Sequence, residues 1–220
     1  MQLDIGNALD SVATPGVSTD ALDRLDDAVA DAHDTIAAGM SNARFGYASL
    51  NLPETTSAAG IERAVDSIDA DAVLTVGIGG SALGAKTITA ALGEANHYLL
   101  DNVDPEATNR LLDALDFDST AINVVSKSGT TAETLANFLV VRDAYEAAGV
   151  DWTERTVVTT GESGPLADLA AEEELPKLAV PDGVPGRFSA LSAVGLVAPA
   201  ILGYDIEAVL DGGREARDSL

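Results

Sequence analysis

The chain has no cysteine, 3 lysines in 220 residues, and an aromatic content of 4%. Without thiols there is no disulfide framework, no thiolate nucleophile and no Cys-ligated metal site. No segment approaches the ~20 uninterrupted apolar residues of a membrane-spanning helix. The opening MQLDIGNALD holds neither the basic stretch nor the apolar run of a signal sequence. Positive charge is also scarce: 12 Lys+Arg stand against 36 Asp+Glu, a formal net charge of −24. Such a surface repels polyanions, which argues against nucleic acid and anionic membrane as partners.

What the chain has in quantity is aspartate and apolar side chain. It carries 23 Asp and 13 Glu against 3 Lys and 9 Arg. This reads as halophilic adaptation, because in molar salt the screening length falls to about 3 Å and self-repulsion is muted. With 46% hydrophobic residues over 220 positions, the chain can bury the core of one large α/β domain or two small ones. A cytoplasmic protein is the default expectation.

Residues 1–69 read as a helical extension. In 20–38, Leu22, Leu25, Val29 and Ile36 form one stripe among aspartates, and Gly39 follows as a stop. A second helix over 57–68 carries Ile61, Val65 and Ile68 on one face. From about residue 70 the texture changes to short apolar runs, at 72–76, 97–100, 121–125, 156–159 and 178–180. They alternate with helical stretches at 81–92, 105–115, 131–147 and 165–174. Asp104 followed by Pro105 is a helix start. This alternation predicts an α/β fold, a doubly wound five-stranded parallel sheet with flanking helices, over residues 70–204. An apolar helix over 189–202 and the start of another over 206–220 follow. Residues 205–220 read as a helix leading into a second half beyond Leu220. Doubly wound sheets bind ligands beyond the carboxyl ends of their strands, so the strand-to-helix loops are where chemistry is expected.

Three of those loops stand out. The first, GIGGSALG at 77–84, follows a strand and opens a helix, so free N–H groups and absent Cβ atoms suit an anion. Gly77, Gly79 and Ala82 also fit a loose dinucleotide fingerprint, with Asp101 placed as a ribose ligand, which keeps an NAD-dependent oxidoreductase open. The nucleotide-hydrolase loop is a near miss: Ala85 intervenes before Lys86 and Thr87, turning the lysine about 100° from the anion. In the second loop, Ser126, Lys127, Ser128, Gly129, Thr130 and Thr131 pack four hydroxyls and an ammonium into six residues, a density suited to a phosphate monoester. Plain helix capping is the alternative, with Thr130 and Glu133 as a capping box. In the third, DGVPGRFS at 182–189, Arg187 stands before an apolar helix, either to neutralise a developing oxyanion or to pair with surface aspartates. A small sugar phosphate uses both of the first two loops, whereas a dinucleotide has no use for the second.

The segments VGIGGSALG (76–84), DNVDP (101–105), VVSKSGTTAETLANF (124–138) and DGVPGRFSALSAVGL (182–196) together resemble the phosphoglucose isomerase family of sugar-isomerase domains, its N-terminal half, of haloarchaeal type. The resemblance covers about residues 70–205. It implies interconversion of glucose 6-phosphate and fructose 6-phosphate through an enediolate, without metal or organic cofactor. It places Ser126, Ser128, Thr130 and Thr131, with the backbone at Lys127, on the phosphate. Gly79, Gly80 and Ser81 would line the sugar-phosphate pocket, Arg187 would stabilise the enediolate, and Glu133 would support the pocket edge. The family takes its proton-shuttling glutamate, ring-opening histidine and a late lysine from beyond residue 220. His33 and His97 stand in no motif, so this stretch alone is expected to be inactive. The resemblance also implies a homodimer of the complete protein. A non-catalytic sugar-phosphate sensor is the rival reading.

Overall fold

A computed structural model of the chain describes residues 4–93 and 96–219. Five strands are hydrogen-bonded in the order β2-β1-β3-β4-β5: β1 Ala72–Val76, β2 His97–Leu100, β3 Thr120–Ser126, β4 Thr156–Thr160 and β5 Lys177–Ala179. Every pairing is parallel, with Val76 opposite Leu100 on one side and Val124 on the other. The strands lie where the apolar runs predict, with β3 one residue longer at each end, β4 one residue longer at its carboxyl end and β5 one residue earlier. A sheet covered on both faces lets hydrophobic residues run without alternation, and every residue of β3 is buried.

The two faces have separate cores. On one, α4 (Ala58–Val65), α5 (Leu83–Ala91), α9 (Ala193–Ile201) and α10 (Ile206–Asp218) pack Ile61, Ala85, Leu196, Val197 and Leu210 on Val73, Ala121 and Val157. On the other, α6 (Pro105–Asp113), α7 (Ala132–Ala148) and α8 (Pro165–Glu172) pack Leu112, Phe138, Tyr145 and Leu166 on Leu74, Ile122 and Val158. Caps set several starts: Ser57, Asp104, Ser192 and Asp205 each accept from a first-turn N–H, and Pro105 follows its cap as anticipated. The α9 helix begins four residues later than expected, because Gly186–Phe188 forms a separate 3-10 turn and Ser192 is the cap. Burial pushes the Tyr145 phenol far up, so it stays neutral and donates to the Thr120 carbonyl at 2.9 Å.

The N-terminal helix departs from expectation. It divides into α1 (Thr19–Asp23) and α2 (Asp26–Ser41), while α3 (Leu52–Thr55) follows a 3-10 turn. Gly39 does not end α2. It is buried beneath Tyr47, whose ring lies 2.5 Å from where a Cβ would be, so the glycine makes room for an aromatic. The expected apolar stripe is present but largely uncovered, with Leu25, Val29 and Ile36 exposed. His33 sits on this exposed helix beside a hollow of about 820 Å³ between α2 and α10. His97 starts β2 fully buried, its ring 2.8 Å from both Thr75 Oγ1 and Thr89 Oγ1. Thr89 Oγ1 donates its own proton to helix carbonyls, so it accepts from Nδ1–H, and Nε2 accepts from Thr75. The ring is a packing element. Lys86 donates to the His97 carbonyl at 2.7 Å, consistent with its rotation away from the glycine loop.

Candidate functional site

After β1 the chain crosses to β2 on one side and returns to β3 on the other, so the sheet's order reverses between β1 and β3. The glycine loop and the hydroxyl-rich loop leave from the carboxyl ends of those two strands, the crevice where doubly wound sheets hold ligands. The loops touch at the base. A Cβ on Gly77 would lie 3.0 Å from the Val125 carbonyl and 3.1 Å from Ser81 Cβ. Gly79 has φ +58 and opens a 3-10 turn through Ser81 before α5 begins. Ser81 is half-buried, with no side-chain hydrogen bond among the described residues.

The second loop is a knot of hydroxyls. The nearly buried Ser126 Oγ donates to Thr131 Oγ1 at 3.1 Å, and Thr131 Oγ1 lies 3.5 Å from Ser128 Oγ. Ser128 Oγ accepts from both the Thr130 N–H, at 3.2 Å, and Thr130 Oγ1, at 3.1 Å. Ser128 and Thr130 are exposed at the mouth. The loop's carbonyls face the other way: Ser126 O accepts from Thr160 Oγ1, Lys127 O from Gly161 N and Gly129 O from Leu166 N. Thr131, not Thr130, is the N-cap of α7, and its side chain makes no capping bond. The capping-box alternative is therefore not formed. Its hydroxyl belongs to the knot, which leaves the first N–H groups of α7 without a side-chain cap. Glu133 stands exposed in that first turn.

The third segment closes the site from the side. A Cβ on Gly80 would overlap the Gly186 backbone and come within 2.6 Å of the Arg187 nitrogen, so the glycine loop and the 186–188 turn are in direct backbone contact. Arg187 is exposed, its guanidinium 4.7 Å from the Phe188 ring centre, with no carboxylate paired to it among the described residues. Surface pairing, one of the two roles considered for it, is not formed. The Lys127 ammonium does not reach over the hydroxyls either. It donates to the Val184 carbonyl at 2.5 Å.

Two contributors were missed in the sequence. The 43–52 turn of the N-terminal extension supports the arginine segment: Gly46 N donates to Gly183 O at 2.8 Å, and Ala48 and Leu52 enclose Val184. Nothing local marks that contact. The other is a signal in plain view: residues 72–93, 119–132 and 183–204 contain no Asp or Glu, although 36 of 220 residues are acidic. The stretches that meet at the switch point are acid-free, so an anion there meets N–H groups, hydroxyls and Arg187 without a repelling carboxylate from these segments.

Comparison with known proteins places the chain in a family. The family model of phosphoglucose isomerase matches residues 56–219. A probable glucose-6-phosphate isomerase of Natronomonas pharaonis is 65% identical over 220 residues, covering 100% of this chain and 51% of the relative. One from Haloarcula marismortui is 66% identical over 223 residues, again covering 100% and 51%. A solved structure of a hypothetical protein from Thermus thermophilus superposes with a TM-score of 0.80 at 39% identity, covering 91% of this chain and 50% of that one. The chain thus spans about half the length of the curated relatives it matches.

Proposed function

The chain belongs to the phosphoglucose isomerase family, and from that premise we propose that its protein interconverts glucose 6-phosphate and fructose 6-phosphate, this stretch supplying the phosphate grip and an oxyanion-stabilising arginine. The observation that carries the reading is the open hydroxyl knot at the uncapped head of α7, set at the switch point beside Arg187. A phosphate dianion there would accept from Ser126, Ser128, Thr130 and Thr131, the backbone N–H at Lys127 and the first N–H groups of α7. Gly79, Gly80 and Ser81 would flank the sugar, and Glu133 would border the rim. With the phosphate held, the C1–C2 end of the open sugar lies toward the 186–188 turn. Removing the C2 proton of the aldose gives an enediolate whose negative charge exists only near the transition state. A guanidinium meeting it there raises turnover more than it tightens binding.

The base that moves the proton is proposed to come from outside this stretch, because no glutamate here stands in the family's base motif. The 220 residues alone should then bind sugar phosphate without isomerising it. In the complete protein in molar salt, Ser128→Ala and Thr131→Ala are expected to weaken substrate binding by about 1–3 kcal/mol each, the range for a hydrogen bond to a charged group. Arg187→Ala is expected to lower kcat with KM nearly unchanged. Steady-state isomerase kinetics check both. A complete protein that neither isomerises nor binds fructose 6-phosphate overturns the reading.

A further inference from the structure

Arg187 has no carboxylate to hold it among the described residues, so its guanidinium is aimed by the backbone that carries it and by Phe188. That backbone is fastened from three sides. Gly46 N donates to Gly183 O at 2.8 Å, Val184 is enclosed by Ala48 and Leu52, and Gly80 lies against Gly186. The remaining tie comes from the phosphate loop itself, where Lys127 Nζ donates to Val184 O across 57 residues of chain. We propose that Lys127 is a positioning residue: its backbone belongs to the hydroxyl loop, its ammonium to the arginine turn, and the side chain sets the distance between the two rather than binding the phosphate. The kinetic part of this proposal rests on the isomerase reading above; the tie itself does not.

Three observations support the assignment. The Val184 residue is 1% exposed, so its carbonyl would be left unpaired if the ammonium swung away to a ligand. The loop already offers the phosphate four hydroxyls and the open N–H groups of α7, and does not need the ammonium. Finally, lysine is used the same way elsewhere in the chain, since Lys86 donates to the His97 carbonyl at 2.7 Å. A charge-to-carbonyl bond acts at contact, where screening by molar salt has little effect, whereas the attraction between separated surface ions is lost. For a chain with this charge it is a salt-tolerant fastener.

The test uses the complete protein in molar salt, with Lys127→Met, Lys127→Arg and Arg187→Ala. Hydrogen exchange followed by mass spectrometry should show residues 182–190 exchanging faster in Lys127→Met and 132–148 unchanged, with Lys127→Arg restoring protection. Lys127→Met should lower kcat about tenfold or more, while the inhibition constant of inorganic phosphate stays within about threefold. On the Arg187→Ala background it should cost nothing further, because the two act as one unit. Unchanged exchange together with a weakened phosphate inhibition constant assigns the ammonium to the ligand and overturns the proposal. If Lys127→Met does not fold, side-chain nitrogen NMR of the wild type decides instead. The Lys127 ammonium signal should hold still as inorganic phosphate saturates the site, and its displacement is the refuting result. A wild type without isomerase activity whose 182–190 segment still loosens in Lys127→Met removes the proposed function and leaves the tie standing.

Discussion

Gly80 has no side chain because the arginine turn occupies the space one would need. Relief is not cheap, since the atoms in the way are the backbone of Gly186 and Arg187. Gly80→Ala is expected to push that turn off the glycine loop, costing about 1–3 kcal/mol of stability as an overpacked contact does. On the isomerase reading it also lowers kcat roughly tenfold or more through displaced Arg187. Denaturation midpoints and turnover in the same salt check the pair, and native turnover in a folded variant would refute the contact's role. At this scale the sequence displayed the residue types well: hydroxyls crowded beside one ammonium, glycines opening a helix, an arginine before an apolar run. It did not display where Lys127 or Gly80 make contact, because both partners lie in a distant segment whose approach depends on how α9 packs. The Thr130–Glu133 capping box does not form because α7 starts one residue later, at the Thr131 cap, and the Thr130 hydroxyl donates to Ser128 within the loop instead.

Helix ends show how local conformation trades against chain chemistry. Both α7 and α8 close with the same motif, an N–H reaching back five residues past a left-handed residue: Val150 N to Tyr145 O at 3.0 Å, and Leu175 N to Ala170 O at 2.8 Å. In α7 the left-handed position is Gly149, φ 76, where the conformation costs little. In α8 it is Glu174, φ 53, whose Cβ incurs the left-handed penalty. Two opposite outcomes follow in equilibrium denaturation. Gly149→Ala should destabilise by about 1 kcal/mol, and Glu174→Gly should stabilise by about 0.5–1 kcal/mol. A Glu174→Gly variant less stable than the parent would show that its carboxylate contributes more than its backbone costs. Element identity was legible because buried parallel strands are short unbroken apolar runs. Boundaries were less so: a glycine that reads as a stop, Gly39, accommodates Tyr47 within a helix that runs on to Ser41.

Charge acts over the whole molecule. Ion pairing among the described residues is confined to Arg142, Arg214 and Arg217, all at least partly exposed, with Arg214 and Arg217 fastening α10 to Glu54 of α3. With 12 Lys+Arg against 36 Asp+Glu the net charge stays at −24, so in dilute buffer uncompensated repulsion favours expansion. Far-UV circular dichroism should show helical signal lost below about 0.1 M salt and regained in molar salt. A spectrum unchanged on dilution would refute salt adaptation.

Sequence alone was sufficient for the parallel sheet, the composition of its strand-to-helix loops, and the acidic, thiol-free character of the chain, because hydrophobic period, loop composition and charge are local or additive quantities. The tertiary structure decided which loops share a crevice, where the Lys127 ammonium is used, and that the 43–52 turn supports the arginine segment. Those outcomes depend on strand order and on contacts between segments far apart in the chain, and no local pattern of residues encodes a distance between them.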